Sequence, residues 1–159
     1  HPHYTGGIRP FIHQEAKIIC VEEDQDYIEF IANGTHSIKP DKLQLEPKKA
    51  EFDLIKKEKV ISDGAFEMKI YHIGSQSNHT SDYLIYYFPE EKMVFQDDLI
   101  WLSKKATKEN ISKPHKGFYK AVKALDIEVI EVVQNWHVFD KKNKNIFKFE
   151  DIENIMTQE

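Results

Sequence analysis

The sequence predicts a mixed α/β (α+β) fold, with a mixed sheet covered on one face by helices. Three observations carry this. Residues 82–88 form a β-rich run followed by a polar turn and a second apolar run; helix-like and strand-like segments alternate on both sides of that pair; and two amphipathic segments near the C-terminus, residues 116–125 and 147–156, can lay apolar faces on a sheet.

In chain order, residues 8–16 make a short helix candidate with Ile8, Phe11 and Ile12 on one face and an exposed His13. It leads into an apolar strand at residues 17–21. Residues 22–32 begin with acids and end at Asn33-Gly34, which are helix start and stop signals. His36 follows in a loop and is read as structural. Residues 40–50 hold two prolines without periodicity, an irregular connection. Residues 52–60 and 66–73 alternate as strands, with Asp63-Gly64 as a turn between them, and His72 shares a face with Phe66, Met68 and Ile70 as a core-edge histidine.

The central hairpin follows. Tyr83, Ile85 and Tyr87 lie on one face of the first strand and Leu84, Tyr86 and Phe88 on the other, so both faces call for cover. Pro89-Glu90-Glu91-Lys92 is the turn, and Met93-Val94-Phe95 returns antiparallel. Residues 104–114 are a polar border, and His115 is read as a capping or surface residue of the helix at 116–125. Residues 127–133 alternate apolar and acidic side chains as a half-exposed strand, ending in Gln134-Asn135-Trp136-His137.

With 159 residues the chain suits one domain, 1–159, with a substantial core. Its net charge of −5 comes from interspersed signs, so no footprint for nucleic acid or an anionic membrane is expected. No apolar run approaches the ~18 residues of a membrane helix, which predicts a soluble protein; the cell location is not legible. The single cysteine, Cys20, sits in the apolar strand at 17–21 and is expected to be a buried, inert thiol.

One juxtaposition bears on chemistry. Antiparallel pairing brings the outer ends of the hairpin strands together, so His79, just before the first strand, and Asp97-Asp98, at the end of the second, meet at one rim. Imidazole and carboxylate suit zinc, and a strand rim holds them rigidly. On spacing alone, the same residues also fit a solvated hairpin.

The run from His79 through Asp82-x-Leu84-Ile85-x-Tyr87-x-Pro89-x-x-Lys92-x-Val94-Phe95 to Asp98-Leu99 resembles the metallo-β-lactamase-fold superfamily of metal-dependent hydrolases, with His79 and Asp98 on ligand positions. His1-Pro2-His3-Tyr4-Thr5-Gly6-Gly7 resembles its signature H-x-H-x-D-H-x-G-G. A gapped match puts His1 and His3 on the first two histidines and leaves out the Asp-His pair between Tyr4 and Thr5. An ungapped match puts His1 on the second histidine, with His3 and Tyr4 where Asp and His belong. The gapped match reads better, and the Asp-His pair is missing in both. His137, after a strand, falls where the superfamily places its last ligand, without the usual flanking glycines.

The resemblance implies the C-terminal half of an αββα sandwich, with the N-terminal sheet absent. It implies a metal held by His1, His3 and His79, with Asp98 bridging toward a second metal held by His137 and also serving as the catalytic residue. Zinc is expected, one ion rather than two, with iron or manganese as alternatives. The implied chemistry is attack by a metal-bound hydroxide on an ester, amide or related bond of an unknown small-molecule substrate, weak or absent because the site is degenerate. The alternative is a non-catalytic binding or assembly module. A second copy of the chain, or the N-terminal half, is expected to cover the inner sheet face.

Overall fold

The computed structural model describes residues 5–100, 102, 106–135 and 145–157. The chain divides into two compact units, residues 1–56 and 57–159.

The first unit contains α1 (Ile8–His13), β1 (Lys17–Val21), a 3-10 turn (Glu22–Asp24), α2 (Gln25–Ala32), α3 (Lys42–Leu45) and β2 (Glu51–Ile55). β1 and β2 pair in parallel, Lys17 opposite Glu51 and Val21 opposite Ile55. Ile12, Cys20, Ile28 and Leu43 form its core. Phe11, expected inward, is 60 % exposed, and Arg9 is buried in its stead. Ile12 sets the inward direction of α1, and Phe11 stands one residue, about 100°, away from it. The buried guanidinium of Arg9 is satisfied by a bidentate pair with Asp41 at 2.6 and 2.8 Å, and it donates to the terminal carbonyls of Ile31 and Ala32 in α2. Asp41 also caps α3 by accepting from the Gln44 amide, so the stretch expected to be irregular contains one capped helical turn.

The second unit is a six-stranded mixed sheet in the order β3-β4-β5-β6-β7-β8: β3 (Glu58–Ser62), β4 (Glu67–His72), β5 (Leu84–Phe88), β6 (Met93–Gln96), β7 (Glu131–Gln134) and β8 (Ile146–Lys148). The strand expected over residues 52–60 is therefore two strands, β2 and β3, which lie in different sheets. The β5–β6 hairpin has the expected turn, with Tyr86 opposite Phe95 and Phe88 opposite Met93. β6 and β7 are parallel, a pairing that needs a long crossover, and α4 (Lys113–Ala124) lies within it. α5 (Phe149–Thr157) closes the unit; its first two expected residues, Phe147 and Lys148, belong to β8.

Alternation along β5, β6 and β7 sends Ile85, Tyr87, Val94 and Val132 to one face, where they pack with Phe118, Ala121 and Val122 of α4 and with Phe149 and Ile152 of α5. Leu84, Tyr86 and Phe88 are half-buried. Among the described residues, no helix is long and apolar enough to cross a membrane.

Candidate metal centre at the sheet rim

β5 runs antiparallel to β4 and β6, and β7 runs parallel to β6. The start of β5 and the ends of β4, β6 and β7 therefore share one rim. Three chain segments leave the sheet there: residues 73–83, residues 97–100, and the segment after Gln134.

The first segment is built to hold a fixed shape. The amides of Ile73 and Gly74 both donate to the Tyr83 carbonyl, closing the loop at its base. Gly74 has φ +48°, and a Cβ there would lie 2.7 Å from the Ser81 carbonyl oxygen, so glycine is required on both counts. His72, the expected core-edge histidine, hydrogen-bonds the Ser81 carbonyl through Nε2 at 2.9 Å. Ser77 is fully buried; its hydroxyl accepts from the amides of His79 and Thr80 and donates to the Thr80 carbonyl. These bonds fix the backbone that carries His79.

α4 supports the same loop. Gly117 lies against the carbonyls of Gln76 and Ser77, and the Asn78 side chain donates to the Lys113 carbonyl. Ser112 caps α4 by accepting from the His115 amide, and His115 is buried, 5 % exposed, with Nδ1 against the Ser112 hydroxyl. The reading of His115 as a capping or surface residue is thus corrected: the cap is Ser112, and three residues on the helix turns its ring inward.

The second segment is held from beneath. The fully buried Gln96 accepts from the amides of Leu99 and Ile100 and donates to the Ile100 carbonyl, tightening the turn that follows Asp98. Asp97 accepts a 3.2 Å hydrogen bond from the Asn135 side chain, joining the ends of β6 and β7.

At this rim His79 Nε2 and Asp98 Oδ2 lie 3.2 Å apart, with side chains 24 % and 11 % exposed. Tyr83 completes the group. Its hydroxyl accepts from the amides of Asp97 and Asp98 and donates to Asp98 Oδ1 at 3.1 Å. Burial pushes the Tyr83 phenol far above its ordinary range, so the hydroxyl keeps its proton and remains a donor to Asp98. By alternation alone Tyr83 reads as part of an apolar strand face; the signal for its polar role is a tyrosine at a strand start, whose hydroxyl requires a partner when its ring packs on a core.

Two donors on one tetrahedral zinc stand about 3.4 Å apart, given zinc–ligand distances near 2.0–2.2 Å. The 3.2 Å separation of His79 and Asp98 fits that spacing as well as a direct hydrogen bond, and the N/O donor set suits zinc or iron. Among the described residues, no group of three or more His, Cys, Asp or Glu could hold a metal ion. The other ligand residues implied by the resemblance, His1, His3 and His137, lie outside the described residues.

No protein-family model and no curated protein sequence matches the chain. Solved structures do. Rubredoxin oxygen:oxidoreductase from Desulfovibrio gigas superposes over 96 % of this chain at 14 % identity with a TM-score of 0.55. A metal-soaked flavodiiron core from Synechocystis superposes over 98 % at 11 % identity and 0.57. A metallo-β-lactamase from Pontibacter korlensis superposes over 95 % at 14 % identity and 0.55. The chain spans 39 % and 40 % of the first two proteins and 61 % of the third. With its six-stranded mixed sheet and its helices, this chain has the metallo-β-lactamase fold.

Proposed function

We propose that the rim is a metal centre and that the chain derives from metal-dependent hydrolases, with zinc as the ion and a small molecule carrying an ester, amide or related bond as substrate. The observation that carries this reading is the fixed approach of His79 Nε2 to Asp98 Oδ2 at the rim of a metallo-β-lactamase fold. His1, His3 and His137 are the further ligands proposed, on the resemblance alone. A bound zinc would act as a Lewis acid and ease deprotonation of water near neutral pH. The residues of this chain do the rest: Ser77 holds the His79 backbone, Gln96 holds the turn after Asp98, and Tyr83 holds the carboxylate. Iron is the alternative ion, suggested by the flavodiiron neighbours.

The missing Asp-His pair between Tyr4 and Thr5 favours a second reading, a binding or assembly module without turnover. Hydrolysis assays on simple ester, lactam and phosphodiester substrates separate the two. The hydrolase reading predicts near-background turnover that rises when Asp-His is inserted between Tyr4 and Thr5 and vanishes on chelation. An inserted variant as inert as the parent would favour the binding module, and turnover that survives exhaustive chelation would remove the metal from the account.

A further inference from the structure

We propose that Tyr83 is the positioning residue of the rim: its hydroxyl fixes the Asp98 carboxylate so that Oδ2 faces His79. A phenolic hydroxyl has two acceptor lone pairs and one proton. Here both lone pairs take backbone amides, Asp97 at 3.1 Å and Asp98 at 3.0 Å, and the proton goes to Asp98 Oδ1 at 3.1 Å. The hydroxyl therefore has one orientation, and it binds the backbone and the side chain of the same aspartate. Rotation of the Asp98 side chain would break the third bond and take from the partly buried hydroxyl its acceptor.

The Tyr83 ring is itself held. It packs on the core of the second unit, and the His79 ring stands edge-on to it with centroids 6.0 Å apart. Tyr83 thus touches both rim residues, and the strand that follows it fixes its backbone. The arrangement is that of an outer residue that orients a ligand without binding the ion, and loss of such a group costs about 10–100-fold in metal affinity.

The inference rests on the metal reading of the rim, and the test keeps the two apart. Zinc affinity is measured by competition with a chromophoric chelator on the 159-residue chain, on Tyr83→Phe, on Asp98→Ala and on the double variant. Tyr83→Phe keeps the ring and should weaken zinc binding about 10–100-fold. In the Asp98→Ala background the same change should cost much less, because the carboxylate that Tyr83 orients is gone and only its bonds to the two backbone amides remain; a residue with only a structural role would not show this dependence. Unchanged affinity in Tyr83→Phe, or an equal loss in both backgrounds, overturns the proposal. If the parent chain binds no zinc, the metal reading fails, and Tyr83 is then judged from NMR of the metal-free chain. There, faster amide exchange at Asp97 and Asp98 with rotamer averaging at Asp98 in Tyr83→Phe supports the positioning role, and an unchanged Asp98 refutes it.

Discussion

Gly117 of α4 and Ser77 of the His79 loop touch backbone to backbone: a Cβ on Gly117 would lie 2.5 Å from the Ser77 carbonyl oxygen and equally close to that of Gln76. Nothing in that contact is a flexible side chain, so the loop or the helix must move to admit a methyl group. Gly117→Ala is expected to cost about 1–3 kcal/mol and to displace the loop that carries His79. Thermal unfolding would show the loss, and a shifted His79 ring resonance would show the displacement. A variant as stable as the parent, with His79 unmoved, would mean that α4 does not set the loop.

Arg9 is the corresponding support of the first unit. Its bidentate pair with Asp41 draws the carboxyl well below the usual carboxylate range. The sign follows: a depressed folded pKa adds stability above the unfolded carboxylate pKa, and that stability is lost as pH falls through the acid range. Arg9→Met should lower the melting temperature at pH 7 and lessen the further loss on acidification below about pH 4. Equal acid sensitivity in parent and variant would show that the pair does not govern this unit.

The residues that were readable from sequence and those that were not differ in physical kind. The β5–β6 hairpin was legible because alternation from Leu84 to Phe88 and the turn at Pro89 to Lys92 agree, and this agreement placed His79 and Asp98 at one rim. The break between β2 and β3 was not, because Lys56-Lys57 contains neither glycine nor proline and strand partners are set by the sheets rather than by the local chain. Arg9, Gln96 and His115 were missed as buried groups since polar side chains go inside only when distant partners satisfy them. For His115 the clue was local: a serine three residues earlier is a helix cap.

Cys20 offers a check on the first unit's core. It is 5 % exposed, and burial raises its thiol pKa to about 11. Because the folded pKa exceeds the unfolded one, the contribution is complete below the unfolded value and is lost as pH rises toward 11. Iodoacetamide at pH 8 should label the native chain far more slowly than the denatured chain, and Cys20→Val should flatten the alkaline fall in stability. Rapid native labelling would show that this core opens.

Association is also open to test. β5 buries Ile85 and Tyr87 on the helix side, and its other face, Leu84, Tyr86 and Phe88, is only half-buried. We propose that a second copy of the chain, or the N-terminal half of a longer protein, covers that face. Light scattering should report a dimer or larger species of the 159-residue chain; a monomer at every concentration, with a cooperative melt, would contradict self-association.

Whether the 3.2 Å pair of His79 and Asp98 is one side of a metal site is decided by elemental analysis of the dialysed chain. About one zinc per chain is expected under that proposal, falling on His79→Ala. A chain that retains no metal, or a content unchanged by that substitution, would contradict it.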